Sequence, residues 1–597
     1  MRNCVYERVS DGWGGSMIWI LATFVLILSF VGIYLIQIKQ RKKNHSDRII
    51  GPLDCLLVLL LCAVFALSVF SDLGGHEAPE TVYDIAENQV KLEFTTPIFV
   101  EGLWLYPYLN EINGASDIII GYTSDGNYAE KRVSEYQVLT WRFTSIGKLV
   151  SDITLYTDCA SLTLGEAGVL GREGLVQIGS DFELFDEQEL IPERATYMNS
   201  AYFDEKYHAR TAYEYINGIP AYEWTHPPLG KAIISLGIRV FGMNPFGWRF
   251  MSAMFGCAMI AAVYIFAKNI FRHTAAAFLA SLLMSCDFMH FVQSRIGTVD
   301  VFLAFFMLLM FLFMYRFARK CAEADLENGT VPWTELLWSA VFFGLAVSVK
   351  WSAAYGVIGL IAVGLWAVLG RNYPAPKEKK LRHIAAASVM FIIIPAAIYV
   401  LSYIPFTSAD GTEGLAAIIE NQCDILTYHG KGVIPLEHEY ASRWYTWPLN
   451  IRPIKYFSAL YSSGISAGIS SFGSPVVWLT GFAAFFASLY MAVRYKEKNS
   501  AFLCTVYCSS WLPWMFIARD TFIYHYYPCT ALLVLMTVNV IAELYRKKRK
   551  TAVGVSAAIV VSAALVFCLY RPLLTGIPVD TGLYGTYFNL LKTWNLI

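Results

Sequence analysis

Residues 298–320 read TVDVFLAFFMLLMFLFMYRFARK, an apolar run with Asp300 at its start and Arg316, Arg319 and Lys320 at its end. A helix that crosses about 30 Å of hydrocarbon needs about 20 predominantly apolar residues, and the part at 298–318 supplies them. Runs of the same kind recur at approximately 17–38, 52–71, 249–271, 274–292, 333–349, 352–370, 383–405, 475–493, 500–517, 527–545 and 551–570, which predicts twelve spans in all. The run at 17–38 is long for a secretory signal, and its basic cluster follows it instead of preceding it, so it reads as a span. Composition agrees: the 597 residues are 56% hydrophobic and 16% charged, against about 25% charged in soluble domains. The fold class is an α-helical polytopic membrane protein.

Basic residues set the orientation, because short cytoplasmic loops collect Lys and Arg. Lys39 to Arg48, Arg316 to Lys320, Lys377 to Arg382, Arg494 to Lys498 and Arg546 to Lys550 fall on one side when the spans alternate. That side is the expected cytoplasm. Both termini, loop 72–248 and loop 406–474 are then extracytoplasmic. With 46 Lys and Arg against 47 Asp and Glu, no basic field exists to attract nucleic acid. Most of the twelve cysteines lie in apolar runs, where Cys acts as a small hydrophobe, so redox chemistry is not indicated.

Loop 72–248 is too long for a connector. Val90–Phe94, Ile98–Leu105, Ser116–Tyr122, Val138–Phe143, Ile153–Thr157 and Gly174–Ile178 read as strands separated by turn signals such as Asp125-Gly126-Asn127. They predict an extracytoplasmic β-sandwich insert at 78–180 that resembles a galactose-binding-like jelly roll. The expected order is therefore two spans in 1–77, the sandwich, an outer loop at 181–248 with amphipathic helices near 206–217 and 229–242, a transmembrane core at 249–405, an outer loop at 406–474, and further core with an outer tail at 475–597.

Ionisable groups beside a membrane are costly, so their placement is informative. Seven of the ten histidines fall on the outer side. The densest cluster is Asp204-Glu205-Lys206-Tyr207-His208-Ala209-Arg210, followed by Tyr222-Glu223-Trp224-Thr225-His226-Pro227-Pro228-Leu229-Gly230-Lys231. Of two adjacent carboxylates, one is placed to act as a general base while the other orients a partner or stays solvated, since neighbouring residues point in different directions. Two prolines and Gly230 make the second segment a rigid turn that presents His226 and Lys231 reproducibly. His429 and His438 have no compact zinc spacing, and no metal or cofactor is expected. The Asn328-Gly329-Thr330 sequon falls on the cytoplasmic side and is disregarded.

With these motifs, the sequence from about 200 to 597 resembles the protein O-mannosyltransferases, in their bacterial form. The resemblance is carried by Phe203-Asp204-Glu205, Tyr207-His208-Ala209-Arg210, His226 to Lys231, Arg249-Phe250, Gln293-Ser294-Arg295 with Asp300, Val349-Lys350-Trp351, His438 with Ala441-Ser442-Arg443-Trp444, Trp447-Pro448, Arg452-Pro453, and Arg519-Asp520 with Tyr524-His525-Tyr526. It implies a GT-C-type glycosyltransferase core of about 11–12 transmembrane helices. It also implies inverting transfer of mannose from polyprenyl-phosphate-mannose to Ser or Thr hydroxyls of exported proteins outside the cell membrane. Asp204 would be the catalytic base, with Glu205 beside it. Arg249, Arg295, Lys350 and Arg519, with His226 and Lys231, would hold the donor's phosphate or sugar, and Arg suits phosphate because its planar fork binds two oxygens. His438, Arg443 and Trp444 would cover the site or hold the acceptor. Gly473-Ser474-Pro475 stands where the family has Gly-Asn-Pro, and the insert interrupts the first outer loop, so a cell-envelope glycan or lipid acceptor, or another sugar, stays open. A transporter is disfavoured, because no ladder of charges runs through the spans.

Overall fold

The computed structural model describes residues 49–110, 117–134, 137–179, 182–323, 331–370, 376–409, 411–412, 414–430 and 438–597. The expected span at 17–38, the basic cluster from Lys39 to Arg48, the sequon and the start of the strand at Ser116 lie outside them. The chain forms two compact units. One comprises residues up to Ser71, Trp224–Ala232 and Ser252–Ile597, and the other Asp72–Glu223 with Ile233–Met251.

The helices in chain order are α1 (Pro52–Phe70), α2 (Glu205–Asn217), α3 (Leu229–Phe241), α4 (Pro245–Phe271), α5 (Thr274–Ser285), α6 (Phe288–Gln293), α7 (Asp300–Glu323), α8 (Trp333–Val349), α9 (Gly356–Leu369), α10 (Lys377–Ser402), α11 (Gly414–Gly430), α12 (Pro475–Tyr495), α13 (Lys498–Trp511), α14 (Tyr527–Lys547), α15 (Arg549–Thr575) and α16 (Thr581–Tyr587). Among the described residues, eight helical stretches are long and apolar enough to cross a membrane, and α5 and α8 are shorter apolar helices. Two expected spans differ. The run at 274–292 is broken at Cys286-Asp287, because the Asp287 carboxylate accepts the His290 N–H at 3.0 Å and starts a new helix there. The run at 500–517 ends as α-helix at Trp511 and tightens into a 3-10 turn at Leu512–Phe516, where Pro513 has no N–H to continue the ladder.

The second unit carries one continuous antiparallel sheet built from β1 (Tyr83–Asp84), β2 (Val90–Asn110), β3 (Ile118–Ser124), β4 (Asn127–Val133), β5 (Arg142–Tyr156), β6 (Leu162–Gly171) and β7 (Gly174–Leu175). Its order is β1-β6-β2-β5-β3-β4, with β7 on β6. Two separately expected strands, at 90–94 and 98–105, are one long strand. The register slips between Glu93 and Ile98, and this irregularity admits Pro97, which lacks a ladder donor, and bends the strand. The bend lets one face of the sheet enclose a core that includes Val100, Leu103, Leu105, Ile120, Val150, Ile153, Leu164 and Val169, sealed by Leu184 and Phe185. In the helical unit, β8 (Ile454–Ser462), β9 (Ile465–Ser471) and β10 (Val579–Asp580) form a small sheet that ties the C-terminal segment to the loop at 406–474.

Candidate functional site

In the unit with the sheet, the acidic pair divides its labour. Phe203 has φ +52°, a left-handed conformation costly for a bulky residue, and this turn delivers Asp204 to the head of α2. The Asp204 carbonyl accepts the N–H groups of Tyr207 and His208, while its partly exposed side chain makes no capping hydrogen bond. Glu205, one residue on, is 0% exposed. Its carboxylate receives Arg249 Nε at 2.6 Å and Nη2 at 2.7 Å, and the Tyr202 N–H at 3.2 Å.

This geometry changes the role of Arg249. Besides Glu205, Arg249 donates through Nη1 to the carbonyls of Leu73 and Tyr197 at 2.9 and 2.6 Å, and through Nη2 to Ser200 at 3.1 Å. A guanidinium has five N–H donors, and all five are engaged. Arg249 therefore has none left for a phosphate, and it fixes the chain before Asp204 to the first turn of α4. Glu205 is committed to the same contact, both of its oxygens facing Arg249. A second buried pair, Arg210 and Glu214 at 2.7 Å, extends the scaffold: Glu214 accepts the Tyr222 N–H, and the Arg210 guanidinium lies 3.8 Å from the Tyr222 ring centre.

In the helical unit, the His226-Pro227-Pro228-Leu229-Gly230-Lys231 turn is latched from inside. Buried Lys231 donates to the His226 carbonyl at 2.7 Å, so it holds the turn. Gly230 is required there, because a Cβ would come within 2.5 Å of the Val299 side chain. His429 Nε2 donates to the Thr225 carbonyl at 3.1 Å, and its ring meets that of His226 edge-on with centroids 5.8 Å apart. Burial first, then the nearby His226, Arg519 and Lys350, pull His429 down to about 4, against a hydrogen bond to Thr225 that raises it. His429 is neutral at physiological pH, and Lys350 and Arg519 bring two positive charges close to it.

Lys350 follows α8 in extended conformation, 3.0 Å from Asp300 and 5.5 Å from the Tyr524 ring centre. Among the described residues, Arg519 makes no hydrogen bond or ion pair. Its neighbourhood is ordered by the loop that was expected to cover the site: the Ser442 N–H donates to the Thr521 carbonyl at 2.7 Å, and the His438 N–H donates to Asp520 at 3.2 Å. Arg443 is exposed, and the half-buried Trp444 accepts the Trp511 indole N–H at 3.0 Å through its carbonyl. Arg295 is placed differently from the expectation. Its Nη1 reaches the carbonyls of Val69 and Ser71 at 2.7 and 2.6 Å, so it caps the C-terminal end of α1 as a helix-end cation.

Sequence reasoning did not single out the carboxylates of Glu166, Asp186 and Glu187, which gather with ligand atoms within 4.8 Å of one another. They are 20 residues apart in the chain, and only the fold of β6 against the 3-10 turn after Phe182 assembles them. Glu166 accepts the N–H groups of Ala167 and Glu187, but burial outweighs these and pushes its carboxyl from the ordinary 4.5 up to about 8. The folded unit thus keeps this proton up to about pH 8, while the unfolded chain loses it near 4.5. Stability is full below the lower value and falls as pH rises between the two. Glu166→Gln should flatten that fall in thermal melts across the interval. Equal pH slopes for wild type and variant would show that Glu166 does not set it.

Residues 240–407 match the family model described as dolichyl-phosphate-mannose-protein mannosyltransferase. Residues 415–594 match that of the C-terminal four-transmembrane region of protein O-mannosyltransferase. The chain is 28% identical over 460 residues to a polyprenol-phosphate-mannose–protein mannosyltransferase of Corynebacterium glutamicum, a match covering 65% of this chain and 88% of the relative. A protein of the same name from Mycobacterium tuberculosis is 26% identical over 454 residues, covering 66% and 85%. In fold, the chain is similar to the Saccharomyces cerevisiae protein O-mannosyltransferase Pmt1–Pmt2 complex bound to the sugar donor, with TM-score 0.56 and 13% identity over 66% of this chain and 89% of that one.

Proposed function

The chain belongs to the protein O-mannosyltransferase family, and from that premise we propose that it transfers mannose from a polyprenyl-phosphate-mannose donor to Ser or Thr hydroxyls of exported proteins. It is a multi-pass membrane glycosyltransferase with a GT-C-type helical core. The observation that carries the reading is that Lys350 and Arg519 both lie close to His429 and the His226 turn, with Asp300 paired to Lys350 at 3.0 Å.

The chemistry follows from what each of these groups can do in the transfer. In the reaction, the acceptor oxygen bonds to the anomeric carbon, the bond from that carbon to the phosphate oxygen breaks, and the electron pair leaves on polyprenyl phosphate. Arg519 and Lys350 stabilise that anion, and His226 adds a donor beside them. Neutral His429 orders the His226 turn through Thr225. Asp204 takes the hydroxyl proton, acting mainly as the sugar's developing positive charge makes that hydroxyl acidic. His438, Arg443 and Trp444, on the loop tied to Asp520 and Thr521, meet the acceptor. We place this chemistry on the extracytoplasmic side, opposite the Lys and Arg runs.

The test is mass spectrometry of exported proteins from a strain lacking the gene, complemented with wild type or Arg519→Ala. Hexose on Ser and Thr should return with wild type. In membranes, Arg519→Ala should lower transfer about 10²-fold, the range for loss of one preorganised donor to a developing anion. Exported proteins unmodified in every strain would remove the protein acceptor and turn attention to envelope glycans and lipids.

A further inference from the structure

At the other end of the helical unit, away from the cationic cluster, lies a cavity of about 230 Å³ between α5, α14 and α15. Leu279, Val538, Ile541 and Val553 form its apolar wall, and Glu543 and Arg546 stand at its rim. Val538 and Arg546 are eight residues apart on α14, so the wall reaches about 12 Å inward from the charged rim. Water, with a share of about 30 Å³ per molecule, needs two to four polar partners each, and the polar lining residues Asn499, Asn539 and Ser556 are already engaged with the Tyr315 hydroxyl, Ser500 and the Ala552 carbonyl. A hydrocarbon chain suits it.

The rim selects the head of that chain. Arg546 and Lys547 both pair with Glu543, at 2.9 and 3.3 Å, yet remain 69% and 61% exposed in their side chains. Lys548, Arg549 and Lys550 follow directly, giving five consecutive cations against that carboxylate. The other acid lining the cavity, Glu497, is occupied in capping α13 through the N–H groups of Asn499 and Ser500. Arg272, next to the lining residues Phe271 and His273, is held below its ordinary value by burial and by Arg319, with Glu323 opposing. Positive charge is in excess at this rim, and a basic run immediately beyond a spanning helix attracts anionic lipid, each Lys or Arg adding to the pull.

We propose that this cavity binds one acyl chain of an anionic phospholipid of the cytoplasmic leaflet, with the phosphate held by the Arg546–Lys550 run. The site is separate from the donor site: Tyr524, whose ring centre lies 5.5 Å from the Lys350 ammonium, and Glu543 are 19 residues, or about 29 Å, apart along one continuous helical stretch.

The full-length protein in neutral detergent is titrated with phosphatidylglycerol, phosphatidylcholine or a polyprenyl phosphate, and its melting temperature is followed. Phosphatidylglycerol should stabilise by mass action and bind at least tenfold more tightly than phosphatidylcholine. Ala276→Trp places an indole in the cavity and should abolish the response. Lys548→Glu with Lys550→Glu, which leaves the cavity intact, should weaken phosphatidylglycerol about tenfold and leave phosphatidylcholine unchanged. The proposal is overturned by equal affinities for the two phospholipids, by a response that survives Ala276→Trp in a folded protein, or by a cavity-dependent response to polyprenyl phosphate alone.

Discussion

Asp204→Asn lowers kcat/KM for mannose transfer by about 10²–10⁴, the contribution of a positioned general base, while the melting temperature stays within a degree or two of wild type. Shape is conserved, and the interactions that build the head of α2 run through the Asp204 backbone carbonyl and not through a side-chain cap. An Asp at a helix start ordinarily receives the N–H groups of the first turn. Here the first turn is received by the Asp204 carbonyl, on a turn set by the left-handed Phe203, so changing the carboxylate to an amide removes the base without removing a cap. The assay is transfer from synthetic polyprenyl-phosphate-mannose to a Ser- and Thr-rich peptide. Retention of a tenth or more of wild-type activity would sink the assignment of Asp204 as base, and a large fall in melting temperature would make its role structural.

How far the sequence is legible depends on whether a signal is local. The apolar runs that become α4, α7 and α10 declare themselves, because length and composition alone decide whether a helix spans hydrocarbon. The strands at 90–94 and 98–105 also show, but their fusion through an irregularity at Pro97 does not, since that depends on the partner strand β5. Local reading fails in the same way at the cations. Arg249, Arg295 and Arg519 look equivalent in sequence, each near a helix end. The partners that separate them are the carbonyls of Leu73, Tyr197 and Ser200 for Arg249 and of Val69 and Ser71 for Arg295, and a carbonyl carries no sequence label. The Asp300 partner of Lys350 does stand in the family motif, 50 residues upstream, but its pairing appears only once α7 and α8 are packed.

The Glu205–Arg249 pair supplies the second large effect, this time on stability. Both side chains are 0% exposed, so removing one partner leaves a buried charge uncompensated, at a cost of about 3–5 kcal/mol. Arg249→Met should therefore unfold the unit comprising Asp72–Glu223 and Ile233–Met251 at a markedly lower temperature, and Glu205→Gln should do the same. Arg249→Lys should rescue little, because an ammonium has three donors on one atom and cannot reach two carboxylate oxygens and three carbonyls together. The double variant Glu205→Gln with Arg249→Met should be less destabilised than the sum of the singles, since each single loss already includes the stranded partner. A phosphate-binding Arg249 makes the opposite pattern: stability near wild type, donor affinity lost, and no coupling to Glu205. Measuring melting temperature and donor Kd on the same four proteins separates the two. Stable singles with weakened donor binding would return Arg249 to the phosphate site and leave the positioning role without support.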